Sequence, residues 1–141
     1  MSITPKIIDS NKRENLRLHM RIENSYDFEL KGSINFIINL LDGRKKRISK
    51  KVKIPKKTKK DFLLTYKIDS SFSEGFYRVL AFFSYDHKKI YSLNKENDFF
   101  CILDTKKNFN EKEMFKLIKN SIVLKKFKRN LNIFLKQNSS T

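Results

Sequence analysis

Alternation of apolar and polar residues with a period of two runs through much of the chain and limits its fold more than any other feature. Between positions 16 and 22 the even-numbered residues are apolar and the odd-numbered residues are polar or charged. This spacing is typical of a β-strand that buries one face. Similar segments follow at positions 33–41, 44–54, 62–68 and 76–85, and shorter ones at 90–93 and 98–103. Because no helical period separates these segments, the sequence predicts a mainly β fold, an antiparallel β-sandwich of about seven strands.

Two of the segments differ in a way that predicts their places in a sheet. Residues 76–85 carry apolar side chains on both faces, which is typical of a central strand. Residues 44–54 follow an Asp-Gly hairpin signal at 42–43, carry apolar side chains on one parity only, and end at Pro55. Their many basic neighbours are typical of a strand at the edge of a sheet. After this edge strand we expect a lysine-rich loop at 56–60.

The period changes in the last third of the chain. Residues 110–137 contain no Gly or Pro, and Asn110 with Glu113 has the spacing of a capping box at the start of a helix. Apolar residues recur near one helical face, which predicts a basic amphipathic α-helix with a break near Ser121. The expected organisation is an N-terminal segment at 1–12, the sandwich at 13–104, the helix at 105–137 and a disordered end at 138–141.

Three placements of this helix are open. Its apolar stripe packs across the sandwich, docks on a partner protein, or lies on an anionic membrane surface. In the first two placements we expect Phe127, Leu131 and Phe134 to be buried. The membrane placement turns these basic residues toward the lipid headgroups: Lys116, Lys119, Lys125, Lys126, Lys128 and Arg129.

The few cysteine and histidine residues exclude several classes of function. Cys101 is the single cysteine, so no internal disulfide forms, and with His19 and His87 it leaves too few ligands for a zinc cluster. Cys101 lies among apolar neighbours, where a free cysteine behaves as a small buried hydrophobe. Neither histidine has a nucleophile or a carboxylate at a spacing that indicates catalysis. We therefore expect a protein that is not an enzyme and needs no cofactor or metal.

No segment predicts a membrane anchor. The first ten residues lack the apolar core of about 7 to 15 residues that a signal peptide requires. No stretch approaches the roughly 20 consecutive apolar residues of a membrane span. With one cysteine and neither of these segments, the expected localisation is cytoplasmic, without a transmembrane segment.

The charge is strongly positive and unevenly distributed. The formal net charge is +17, and 25 of the 32 basic residues are lysine. Residues 44–60 contain eleven basic side chains and no acidic one, which is either a solvated hairpin face or a patch for an anionic ligand. Aromatic residues do not alternate with the lysines there, unlike in proteins that stack single-stranded bases. The candidate patch consists of Arg44, Lys45, Lys46, Arg47, Lys51, Lys53, Lys56, Lys57, Lys59 and Lys60.

The start of the segment at 76–85 carries a motif of one family of sandwiches. Gly75, Tyr77 and Val79 have the Gly-x-Tyr-x-aliphatic form that recurs at the start of strand F in immunoglobulin and fibronectin type III domains. In those domains the tyrosine closes a corner by bonding to the nearby backbone. Gly75 and Tyr77 are therefore predicted to be structural residues of an immunoglobulin-like sandwich.

Together with the turn at 42–43 and the closing segment at 98–104, the stretch from about Leu16 to Asp104 resembles the C-terminal carbohydrate-binding domain of Wzt-type polysaccharide ABC exporters. The resemblance implies a cytoplasmic immunoglobulin-like domain that recognises an O-antigen-like glycan for export. The chain has no Walker A glycine loop and no Trp, so the resemblance covers a binding domain without the ATPase.

Two functions follow as expectations. The first is a non-catalytic binding module that recognises a polysaccharide, or a partner protein in surface polysaccharide export. The alternative is a basic RNA-associated or ribonucleoprotein component in which residues 44–60 and the helix lie against phosphates. Beside a glycan or a partner protein, nonspecific contact of the basic residues with nucleic acid or with an anionic membrane surface stays open.

Overall fold

A computed structural model of the chain describes residues 1–12, 14–40, 43–68, 72–91, 98–104, 106, 111–118 and 121–138. Parts of some predicted features lie outside the described residues, namely Asp42, Ser92, Leu93, Asn110, Lys119 and positions 139–141. The described strands are β1 (Ser2–Thr4), β2 (Ile7–Asp9), β3 (Asn15–Asn24), β4 (Leu30–Leu40), β5 (Lys45–Ile54), β6 (Thr58–Lys67), β7 (Gly75–Tyr85), β8 (Lys88–Tyr91) and β9 (Phe99–Leu103). The described helices are α1 (Glu111–Leu117) and α2 (Ser121–Asn138).

The strands form two sheets, which confirms the predicted mainly β sandwich. One sheet has three strands in the order β1-β3-β6, and the other has six, in the order β2-β9-β7-β4-β5 with β8 paired to β7. Nine strands are present in the described residues, where the sequence predicted about seven, because β1 and β2 have three residues each and are too short to show a period. The β2 strand pairs with β9 in parallel, so the second sheet is not entirely antiparallel.

The two strands whose places were predicted lie as expected. The β7 strand is in the middle of the six-stranded sheet, between β9 and β4, and β5 is the strand at its end. The loop predicted at 56–60 is shorter, because β6 begins at Thr58 and takes Lys59 and Lys60 into the strand. Pairing with β3 places Lys59 opposite Glu23, and opposite charges on facing strands favour the extension of the pair.

The main core lies between the two sheets. The apolar parities of β3, β4 and β7 are buried there, including Leu18, Phe36 and Val79. Tyr77 is fully buried, stacks on Phe100 with ring centroids 4.8 Å apart, and donates a hydrogen bond of 2.6 Å from its hydroxyl to the carbonyl of Ser73. This bond to the nearby upstream backbone is the tyrosine corner of immunoglobulin-like sandwiches. A side chain at Gly75 would meet nothing nearer than the Tyr77 ring at 4.0 Å.

A second core lies on the outward face of the six-stranded sheet, under the helices. Phe127 of α2 is fully buried and makes edge-to-face contacts with Phe76 at 5.8 Å and Phe99 at 6.0 Å. Leu131 is buried beside it, and Phe134 is partly buried against the same cluster. Of the three predicted placements of the helix, the structure therefore shows the one in which its apolar stripe packs across the sandwich. The predicted break is present, since α1 ends at residue 117 and α2 begins at 121.

Candidate functional site

The basic residues of the candidate patch meet on one side of the sandwich. The strands β5 and β6 lie at the ends of the two different sheets and are joined by a tight turn at 55–57. We call the side formed by β5, the turn and the first half of β6 the lysine flank, residues 44–62. The ten predicted patch residues all lie on this flank, but they are not on one surface.

The alternation along β5 divides the patch residues between two faces. Val52 and Ile54 are buried and point toward the core, and Lys46 has the same parity. The other parity of β5 points to the outward face of the six-stranded sheet and carries Lys45, Arg47, Lys51 and Lys53. Lys56 and Lys57 lie in the turn, Lys59 and Lys60 in β6, and Arg44 directly precedes β5. A single flat ligand surface could not touch all of them.

A groove of about 960 Å³ opens along the lysine flank. Five lysines line it, and its lining includes the apolar side chains of Val52 and Phe62. One end of the groove is formed by the β7–β8 turn with Asp86 and His87, and Asp86 is the one carboxylate among the described lining residues. The lining lysines are Lys31, Lys50, Lys51, Lys53 and Lys60. An anion inside this groove therefore meets cationic groups from three strands.

The contacts of the lysines show how the groove is built. The Lys60 ammonium lies 5.5 Å from the centre of the Phe62 ring and donates a hydrogen bond of 3.4 Å to the main-chain carbonyl of Lys53. Farther along β5, the Lys46 ammonium lies 4.2 Å from the centre of the Phe72 ring. The long side chain of Lys60 thus covers apolar surface inside the groove, and Lys46 does the same on β5 outside it.

Two of the groove lysines were missing from the predicted patch. Lys31 belongs to β4, and only the pairing of β4 with β5, which sets Lys31 opposite Lys53, brings it to the site. Lys50 has the parity of the buried Val52. The sequence contained a signal for Lys50, because it is a lysine at a position of the alternation that is otherwise apolar. An inward-pointing charge on an edge strand indicates that the core does not extend below it.

Two exposed aromatic rings lie at the end of the sandwich next to the groove. Tyr26 and Phe28 stack with centroids 5.0 Å apart and are 48% and 56% exposed. The buried Asn24 fixes their loop, because its side-chain amide donates to the carbonyls of Phe28, Ile54 and Pro55 at 2.9 to 3.1 Å. Its side-chain oxygen accepts from the Tyr26 amide at 3.0 Å. These hydrogen bonds thus hold the loop, and with it the two rings, in place on the surface.

A second groove of about 500 Å³ begins at Tyr26. Its lining is mainly apolar and includes Tyr26 and Tyr91. A hydrogen bond with Tyr26 is the main cause that raises the pKa of Tyr85, which lines the lysine groove. Tyr85, which lines the lysine groove, and Tyr26, which lines the second groove, therefore lie between the two grooves.

The histidines and the cysteine lie where they suggest no further site. The Nε2 atom of His19 lies 3.1 Å from Asp61, a carboxyl whose pKa is lowered mainly by a hydrogen bond from Arg21. His87 is exposed in the β7–β8 turn. Cys101 is fully buried, and burial raises the pKa of its thiol. No group of three or more metal-ligating side chains comes together among the residues that the structure describes.

Comparison with known proteins adds no relative. No family model matches the chain, and no curated protein matches it either. Among the described helices, neither is both long and apolar enough to cross a membrane.

Proposed function

We propose that this chain is a non-catalytic binding module that holds an acidic polysaccharide in the groove of the lysine flank. The observation that carries the proposal is the groove itself, in which five lysines face one carboxylate. The five lysines are exposed, but their like charges surround one concave site, and a cleft lined by one sign of charge attracts an anion more strongly than the same charges on a flat face.

The chemistry of the lining suits a charged sugar chain and lacks the side chain most used to recognise nucleic-acid bases. The described lining contains lysine and no arginine. Arginine binds carboxylate and phosphate alike with two parallel hydrogen bonds and also stacks on bases, whereas lysine acts as a point charge toward either anion. An exported acidic glycan needs only such point charges at intervals along its length.

The exposed ring pair beside the groove supports a sugar ligand. Tyr26 and Phe28 present aromatic faces that a pyranose ring covers with its apolar C–H face, and both rings are about half exposed. The resemblance to the carbohydrate-binding domain of polysaccharide exporters agrees with this chemistry. In that setting the module acts in the cytoplasm, together with the partner proteins of an ABC exporter.

A binding experiment with a matched control tests this function. The ligands are polygalacturonate, neutral dextran and an RNA duplex, each measured at low and moderate salt. The test variant changes Lys50, Lys51, Lys53 and Lys60 to Gln, and the control variant changes four exposed helix lysines, Lys112, Lys116, Lys125 and Lys126, to Gln. Both variants lose the same net charge, so only the position of the charge differs.

We expect wild type and the helix variant to bind polygalacturonate, and the groove variant to lose at least about tenfold in affinity, because several charge-assisted contacts disappear together. Dextran should bind weakly to all three. Equal losses in the two variants would show that net charge alone drives binding. RNA binding that is tight, steeply dependent on salt and lost in the groove variant would replace the polysaccharide with nucleic acid as the ligand.

A further inference from the structure

The strand at the end of the six-stranded sheet has one side of its backbone unpaired. The β5 strand pairs with β4 along ten residues, and no described strand pairs with its other side. The hydrogen bond from Lys60 reaches the main-chain carbonyl of Lys53 from the β6 side. The carbonyl of Lys53 therefore points away from β4, into the lysine flank.

This one contact fixes the direction of other main-chain groups of β5. Neighbouring residues of an antiparallel strand point their N–H and C=O groups to alternate sides. Ser49 and Lys51 have the parity of Lys53, so their N–H and C=O groups also point to the free side. These three residues form a ladder of donors and acceptors that repeats about every 6.8 Å along the strand, twice the rise per residue.

Charge decides which strand fits this ladder. The side chains next to it are the outward Lys51 and Lys53 and the inward Lys50. A second copy of β5 would place lysine against lysine, which disfavours pairing between copies of this chain. A strand that carries carboxylates on its outward face meets the opposite sign at Lys51 and Lys53.

The lining of the groove determines what the inward face of an added strand would contact. Side chains that point inward from a strand beside β5 enter the groove over Val52 and Phe62. Each of these two side chains is 8% exposed. Side chains that point outward meet Lys51 and Lys53. An alternation of apolar and acidic residues therefore matches the two faces of the site.

We propose that the free edge of β5 is a docking site for a partner protein, which adds an extended segment of alternating acidic and apolar residues as a further strand of the sheet. Main-chain hydrogen bonds to the ladder of Ser49, Lys51 and Lys53 supply the affinity, and the lysines supply the selection. The inference goes beyond the proposed polysaccharide function. The two ligands use some of the same lysines, so each should displace the other.

The test uses the unchanged protein and a short synthetic peptide of alternating glutamate and valine. Two further peptides are methylated on backbone nitrogens. In the first, every glutamate carries the methyl group, and in the second, every valine carries it. All three have the same charge. In an added strand only one of the two sets of N–H groups faces β5, and the other faces solvent.

We expect the parent peptide to bind, one methylated peptide to bind at least about tenfold more weakly because several ladder hydrogen bonds are lost, and the other to bind as the parent does. A peptide held by charge alone would bind equally in all three forms, and that result overturns the inference. Absence of binding by the parent peptide also overturns it.

Variants of one residue extend the test to the protein side. Lys51→Pro removes the charge and the N–H that faces the free side, whereas Lys51→Gln removes the charge alone. After a check by thermal melting that both are folded, Lys51→Pro should lose the peptide about tenfold more than Lys51→Gln, while both bind polygalacturonate equally. Equal peptide binding by the two variants contradicts strand addition and leaves the polysaccharide function standing. Binding of the peptide without binding of polygalacturonate would support strand addition and contradict the polysaccharide function.

Discussion

The outward face of the six-stranded sheet has two halves that are built differently. Around β7 and β9 most of its outward side chains are apolar, as at Phe76, Phe99 and Cys101, and α2 packs against these three. Around β5 the same face carries Lys51 and Lys53, which are exposed. One sheet thus provides a second core at one side and a charged edge at the other.

The difference shows what each half contributes. Burial of aromatic rings under α2 stabilises the fold, since removal of apolar surface from water is the main favourable contribution. Lysines around an open groove bury little surface and repel one another, so they contribute little to stability. We expect substitutions in the covered half to change stability and substitutions on the lysine flank to change binding.

The covered half should show the largest effect on stability. Phe127→Ala removes a fully buried ring that contacts three other rings, Phe76, Phe99 and Phe115. We expect a loss of about 3 to 5 kcal/mol in the free energy of unfolding, measured by urea titration, because a large cavity remains.

The control for this variant lies on the same helix. Ile133 is 50% exposed, so Ile133→Ala should change stability by less than about 0.5 kcal/mol. Similar losses for the two variants would mean that α2 does not pack on the sheet through the Phe127 face, and the comparison between the two halves would then fail.

A smaller effect is expected at the end of the lysine flank. Asn24 is buried and bonds to the β3–β4 loop and to the end of β5. Asn24→Ala leaves these carbonyls, of which that of Ile54 is buried, without their donor, and we expect a loss of about 2 kcal/mol in the free energy of unfolding. Ser25→Ala, at the exposed neighbouring position, should be nearly neutral. A neutral Asn24→Ala would mean that the loop carrying Tyr26 and Phe28 is not held by this side chain.

The smallest effect on stability is expected on the flank itself. The variant with Gln at Lys50, Lys51, Lys53 and Lys60 should unfold within about 0.5 kcal/mol of wild type, with any change toward greater stability at low salt because like charges are removed. A denaturant titration at two salt concentrations measures this. A large loss of stability would show that these lysines hold the fold together, and would weaken their assignment to binding.

Particular elements show which parts of the fold the sequence could predict. The strands β3, β4, β5 and β7 were predictable because each is long enough to display the period of two and each buries one or both faces. The strands β1 and β2 have three residues each and escaped the pattern. The start of β6 at Thr58 depends on pairing with β3, which composition alone does not reveal, since Lys59 and Lys60 also suit a loop.

The candidate site was predictable only in part for the same reason. The run at 44–60 marked the flank, but its division between two faces follows from the parity of β5. The contribution of Lys31 depends on the register between β4 and β5, and the nearness of Tyr26 to Tyr85 depends on how the β3–β4 loop meets the end of β7. Such long-range pairings are not local properties of the sequence.

The central claim is that an acidic polysaccharide binds in the groove of the lysine flank. The most direct measurement is a map of backbone amide chemical shifts by NMR during titration with a short oligogalacturonate. We predict that the largest shifts cluster at Lys31, Lys60, Phe62 and residues 50–53, with little change in α2. Shifts concentrated on the lysines of α2, or spread evenly over all basic residues, would contradict the claim.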